Sequence, residues 1–156
     1  MNHQRVTATV EDNAEEVFAL LADPSRHQEF DGSGLVRTAV SDARLTEVGQ
    51  VFQMRMHADS QGDYVTENHV RTLVPGAEIS WMPTMNGRAP SGYWWGYDIR
   101  AIDDHSCEVG LSYDWTAITS ERWKPLFPRV SQAEMQESLN SLQAVFSKRP
   151  SMEGRA

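Results

Sequence analysis

Between residues 35 and 116 the sequence reads as one strand after another, and only a single long amphipathic helix follows. The candidate strands are 35–40, 50–57, 64–73, 78–82, 92–102 and 107–116. Turn signals separate them: Glu47-Val48-Gly49, the stretch from Asp59 to Gly62, Pro75-Gly76, the connection 83–91 and Asp103-Asp104. Such links are shorter than the dozen or more residues a parallel crossover needs, so neighbouring strands run antiparallel. Residues 5–10 add a further strand, with Val6, Ala8 and Val10 alternating against Arg5, Thr7 and Thr9.

The helical segments carry their own start signals. Ser131 and Glu134 form a capping box, and Val130 and Met135 stand at the spacing of a hydrophobic staple. Met135, Leu139, Leu142 and Phe146 then recur at helical spacing on one face, with Gln136, Glu137, Asn140 and Lys148 on the remainder. Near the N-terminus, Asn13 and Glu16 open a short helix with Val17, Phe18 and Leu21 as its apolar stripe. Asp23-Pro24 ends it, residues 25–30 allow one more short turn, and residues 31–34 break the chain. A seven-stranded antiparallel sheet with one apolar face needs a cover, and only the C-terminal helix is long enough to supply it. The expected fold is α+β: a curved sheet, curled by its own twist around that helix, with one or two short helices after the first strand.

The length of 156 residues suits one domain, expected over 1–148 with a flexible tail at 149–156. A content of 40 % apolar and 23 % charged residues is that of a globular chain. The formal charge of -8 argues against a nucleic-acid partner, and no apolar run is long enough for membrane insertion. The N-terminal residues lack the apolar core of a signal peptide, so the expected location is cytoplasmic. Cys107 stands alone, which excludes an intramolecular disulfide and a multi-cysteine metal site. His3, His27, His57, His69 and His105 show no ligand spacing, and neither a phosphate-cradling glycine loop nor a GxSxG elbow is present. No metal and no cofactor are expected. His57 and His69 can approach across a hairpin, although solvated strand positions explain both.

Aromatic residues gather in the late strands. Tyr93, Trp95, Tyr97 and Ile99 share one strand face, and Val109, Leu111, Tyr113 and Trp115 share a face of the next. Taken as inner faces, they meet Phe52, Met54 and Trp81 from other strands and Met135, Leu139 and Leu142 from the final helix. Any one of these side chains is explained as core. Together, so many large apolar groups with polar tips suit the wall of a ligand pocket. Trp94 falls on the opposite face, as cover for the outer sheet or as a subunit contact. Residues 64–73 keep two registers open, because Tyr64 and Val70 lie on one face while Val65 and Leu73 lie on the other; a bulge would reconcile them.

Several stretches carry a family resemblance: VFALLADPSR at 17–26, Phe30-Asp31, Asn68-His69-Val70, Ile79-Ser80-Trp81, Trp95-Gly96-Tyr97 and Tyr113-Asp114-Trp115. Over residues 5 to 147 the chain resembles the SRPBCC superfamily, which includes polyketide cyclases and dehydratases and shares the helix-grip fold of START domains and the birch pollen allergen. The resemblance implies a pocket between sheet and helix and leaves its use open, since the superfamily holds carriers, receptors, chaperone co-factors and cyclases. It places Val70 inward, and with it Thr66 and Asn68; the opposite register would bring Glu67 and His69 inside. For cyclase chemistry the candidates are Tyr97, Tyr113 and Asn68. The faces assigned inward carry no Arg, His or acid, which favours binding over catalysis.

The connection 83–91, with its lone Arg88, has the length of a lid, and Leu126, Phe127 and Pro128 stand where the other lip of a mouth would be. The leading expectation is a small hydrophobic partner, lipid-like, aromatic or polyketide, held by a monomer or homodimer. A cyclase, aromatase or dehydratase without metal or nucleotide is the alternative, and a protein-interaction module the third.

Overall fold

The computed structural model describes residues 2–31 and 35–147. All but Asp31 of the expected chain break at 31–34, and the expected tail at 149–156, lie outside the described residues. Strand β1 (His3–Val10) leads into helix α1 (Ala14–Leu21) and a 3-10 turn (Pro24–Phe30). Strands β2 (Val36–Ala39), β3 (Val51–Ala58), β4 (Gly62–Val74), β5 (Glu78–Met85), β6 (Trp94–Asp103) and β7 (Ser106–Asp114) follow. Helix α2 (Gln132–Ser147) comes last. All seven strands form one antiparallel sheet in the order β1-β7-β6-β5-β4-β3-β2. From β2 onward each strand pairs with its predecessor, while β1 closes the far edge against β7. The two short helical segments therefore carry the chain across the sheet from one edge to the other. This is the α+β helix-grip architecture that the order of patterns predicts.

The caps form as their residue types dictate. Asn13 Oδ1 accepts the Glu16 amide at 2.9 Å, which satisfies one of the orphan donors at the start of α1. In α2 the box is reciprocal: the Glu134 amide donates to Ser131 Oγ at 3.1 Å, and the Ser131 amide donates to a Glu134 carboxylate oxygen at 3.0 Å. Met135, Leu139, Leu142 and Phe146 are all buried, as the periodicity predicts. In α1 the buried set is Val17, Leu20 and Leu21; Phe18, expected in the stripe, is only half-buried.

Most strand ends shift by one or two residues from expectation, and three differences bear on the sheet's inner face. β4 contains a bulge at Arg71, because Val70 and Thr72 oppose the adjacent pair Trp81 and Ser80. The extra residue switches the pleat, so Val70 faces the core before it and Leu73 faces the core after it. β5 continues past Met82 to Met85 despite Pro83. Its last pair with β6 is Trp81 and Trp95, and beyond this it pairs with β4 alone. One side of β5 is then an edge, where a residue without an N–H is tolerated. β6 begins at Trp94, two residues later than expected.

Helix α2 is fastened to one side of the sheet. Gln143 Nε2 donates to the Thr9 carbonyl at 2.7 Å, and Gln4 Nε2 donates to the Val130 carbonyl at 2.8 Å. The nearest neighbours of α2 are thus β1 and the 3-10 turn, with β7 behind them. Val10, Val17, Ile79, Val109, Leu139 and Leu142 fill this end with a solid core. The sheet curls on past the helix through β6 to β3, and there the interior is not filled. Among the described residues no helix is long and apolar enough to cross a membrane.

Candidate functional site

The unfilled end is a cavity of about 420 Å³. Its inner walls come from every element that faces it. β3 contributes Phe52, Met54 and Met56; β4 contributes Tyr64, Thr66 and Asn68; β5 contributes Trp81, Pro83 and Thr84. Trp95 and Tyr97 of β6, Leu111 and Tyr113 of β7, and Met135 and Ser138 of α2 complete the barrel side. His27 and Phe30 descend from the 3-10 turn, and Arg88, Ser91, Trp123 and Arg129 stand at the rim with Asp31. Pleating explains most of the selection, since alternate strand residues face inward, as at 52, 54 and 56, at 64, 66 and 68, and at 95 and 97.

Two aromatic groups organise the walls. In the first, His27 stacks on Trp81 with ring centroids 5.2 Å apart and meets the edges of Phe30 at 5.4 Å and Phe52 at 5.7 Å. Tyr97 closes this group, 6.2 Å from both Phe30 and Trp81. In the second, Trp95 and Tyr113 lie parallel at 4.0 Å, with Tyr93 and Phe127 against them. Offset and edge-to-face pairs of this kind add to their burial and hold each ring in one orientation.

The polar atoms in these walls differ in what they are free to do. His27 is 6 % exposed, and its Nε2 lies 2.8 Å from the Leu21 carbonyl oxygen. A carbonyl can only accept, so Nε2 carries the proton and Nδ1 of the neutral ring keeps its lone pair. Burial pushes the imidazole below its ordinary pKa; the Leu21 carbonyl and the carboxylates of Asp23 and Asp31 oppose this and do not overcome it. Burial also raises the Tyr97 phenol far above its usual range, with the Asp31 carboxylate adding to the effect, so this hydroxyl remains a neutral donor. The Tyr113 phenol is pushed up to about 12 by burial, and its oxygen accepts the Arg129 amide at 3.3 Å. Asn68 donates from Nδ2 to the Phe52 carbonyl at 3.2 Å and to Thr66 Oγ1 at 3.3 Å, which leaves Oδ1 as an acceptor. At the rim, burial raises the phenols of Tyr64 and Tyr93, and the Arg129 guanidinium holds both back.

Of the residues expected at a pocket wall, Phe52, Met54, Trp81, Trp95, Tyr97, Tyr113 and Met135 border the cavity, as does Asn68. Trp115, Leu139 and Leu142 do not: they sit in the packed core, Trp115 against Tyr113 and Phe127 and the two leucines where α2 lies closest to the sheet. Spacing put them on the right face but says nothing of position along it. The expectation of no inward Arg, His or acid is corrected, because His27, Asp31, Arg88 and Arg129 all border the cavity. His27 was legible in one respect. Residues three apart eclipse in a 3-10 turn, so Pro24, His27 and Phe30 share the buried face. Leu126, Phe127 and Pro128 are not lining residues, and the lip is formed by Trp123 and Arg129 on either side of them. Arg88, Ala89 and Ser91 represent the 83–91 connection at the rim.

His57 and His69 do not meet. His57 Nδ1 lies 2.8 Å from Asp63 Oδ1, whereas His69 sits opposite Val51 and Met82 further along β4, on the outer face. Trp94 also faces outward, with the Arg71 guanidinium 4.1 Å from its ring centroid. Among the described residues no group of three or more His, Cys, Asp or Glu side chains gathers to hold a metal ion.

No family model matches the chain. An uncharacterized protein of Mycobacterium tuberculosis H37Rv, Rv0088, is 30 % identical over 104 residues, covering 67 % of this chain and 43 % of the relative. The chain thus spans less than half the length of the curated relatives it matches. A START superfamily protein from Mycobacterium smegmatis superposes with a TM-score of 0.68 at 12 % identity, over 95 % of this chain and 99 % of that one. The Aha1 dimer from Colwellia psychrerythraea gives 0.62 at 12 % identity, over 95 % and 98 %. The likeness is one of fold, and the fold is the helix-grip fold of the SRPBCC superfamily.

Proposed function

We propose that this chain binds a small hydrophobic molecule, lipid-like, aromatic or polyketide, inside the curl of the sheet. The observation that carries the reading is the cavity itself: about 420 Å³, within the range of small-molecule sites, with a lining that is mostly apolar, aromatic and thioether, and polar groups set among it. A side-chain core this well ordered at the α2 end leaves no packing reason for a hollow at the other end, because interiors otherwise close to crystal-like density. Native mass spectrometry of the purified protein, followed by solvent extraction, tests it. The expected result is one apolar molecule per chain, either carried through purification or acquired from a panel of fatty acids, sterols and aromatic polyketides. The same spectra report whether the chain is a monomer or a homodimer. A clean apo mass after the whole panel refutes the reading and favours a protein-interaction module.

One observation supports a second reading, a cyclase or dehydratase using the same cavity. A neutral imidazole with a free lone pair and a neutral phenol, both buried at one end, supply a proton acceptor and a hydrogen-bond donor to a carbonyl oxygen on which charge develops in a bound polyketide. Tyr113, whose oxygen already accepts an amide, is the weaker candidate for that donor. Turnover of a bound polyketide that is lost in Tyr97→Phe, with binding retained, is the outcome this reading predicts.

A further inference from the structure

Three polar side chains, His27, Tyr97 and Asn68, are each more than nine-tenths buried, border the cavity, and leave a polar atom without a hydrogen-bond partner among the described residues; His27 and Tyr97 offer complementary ones, an acceptor and a donor. His27 spends its proton on the Leu21 carbonyl, which leaves Nδ1 as a bare acceptor. Among the described residues Tyr97 has no side-chain hydrogen-bond partner, which leaves its O–H as a donor. Both rings pack on the same two neighbours, Phe30 and Trp81, so the two atoms belong to one end of the cavity. Buried polar groups are almost always paired, and a pair left open toward a cavity is where a ligand's polar atom is read.

The chemistry of that atom follows from what the two groups lack. Nδ1 needs a donor and the phenol needs an acceptor. A hydroxyl group is the smallest substituent that offers both. A carboxylate cannot donate to Nδ1, and the Asp31 carboxylate acts on both rings, which disfavours a second anion. A ketone or ether satisfies Tyr97 alone. The surrounding rings of Phe30, Phe52 and Trp81 favour a flat apolar body behind the hydroxyl. We infer that the end of the cavity formed by His27 and Tyr97 is a hydroxyl-recognition subsite for a neutral aromatic ligand, its O–H donating to His27 Nδ1 and its oxygen accepting from Tyr97. This deepens the binding reading and rests on it.

The test uses 2-naphthol and 2-methoxynaphthalene, titrated by calorimetry into the whole protein and into His27→Phe and Tyr97→Phe. The methyl ether keeps the acceptor and loses the donor, so it isolates the His27 contact. Wild type is expected to prefer 2-naphthol by about 10-fold or more, the usual range for leaving one buried group unpaired. In His27→Phe the preference collapses to about 1. In Tyr97→Phe both affinities fall by a similar factor of about 3 to 10 and the preference persists. Should His27→Phe fail to fold, the His27 Nδ1 nitrogen resonance of the wild type decides: saturation with 2-naphthol shifts it, and saturation with the ether does not. Equal affinities in the wild type, or a preference that survives in His27→Phe and is therefore steric, overturn the subsite while leaving the cavity as a binding site. If neither naphthalene binds but native mass spectra carry an apolar molecule, the subsite alone falls; if the mass is also clean, the binding reading falls with it.

Discussion

Leu139 and Met135 lie one turn apart on the same face of α2, are 0 % and 1 % exposed, and have different surroundings. Leu139 is enclosed where α2 lies closest to the sheet, whereas Met135 borders the cavity. In Leu139→Ala the deleted atoms had neighbours all round, so the variant loses their transfer free energy and gains a new hole. The cost is about 3 to 4 kcal/mol, within the range for fully enclosed leucines. For a domain of this length that lowers Tm by about 6 to 16 °C. In Met135→Ala the space released joins a cavity that already exists, so most of the cost is transfer alone, about 2 kcal/mol. The binding effects run the other way. Leu139→Ala, measured well below its Tm, keeps ligand affinity within about 2-fold of wild type, because the atoms removed never reached the ligand space; Met135→Ala changes it by about 10-fold in either direction as the wall recedes. Urea unfolding followed by tryptophan fluorescence gives the stabilities, provided the m-value is unchanged. A Leu139→Ala cost under about 1 kcal/mol would refute the tight grip of helix on sheet, and equal effects of the two variants on binding would show that the cavity runs on beneath Leu139.

His27 is buried in its neutral form with a lowered pKa, so the unfolded chain binds a proton that the folded chain refuses once the pH drops below about 6.5. Stability therefore falls as the pH decreases through that value, by up to about 1.4 kcal/mol per pH unit from this group; the loss between pH 7.5 and 5.5 should be smaller in His27→Phe, and identical losses in urea titrations of the two proteins would contradict a buried neutral imidazole. Ser131→Ala removes the oxygen that accepts the Glu134 amide and should destabilise the protein by about 1 kcal/mol; a change within about 0.3 kcal/mol would mean that α2 is held by its buried face and its Gln143 bond to β1, with no contribution from the cap.

The sequence by itself determined what depends on near neighbours. Period-2 alternation in 5–10 and 107–116 and the 3.6-residue recurrence of Met135, Leu139, Leu142 and Phe146 are set within a few residues, and so are the caps at Asn13 and Ser131. The short links force antiparallel pairing in the same local way. Tyr97, Trp95 and Tyr113 could be assigned to one interior because strand parity is a local property. The bulge at Arg71 was visible only as a conflict between Tyr64 and Leu73, since one extra residue leaves no composition signal. Tertiary structure decided everything that depends on how α2 lies across the sheet. Its fastening to β1 through Gln4 and Gln143 fills one end of the curl and leaves the other hollow. That placement makes Leu139, Leu142 and Trp115 core and makes Met135 a wall, although all share apolar character and correct parity. It also turns His27, a histidine in a polar stretch, into a buried polar group of the cavity wall. A face is set by torsions within one segment, but depth along that face is set by the packing of segments more than a hundred residues apart, and no local pattern encodes it.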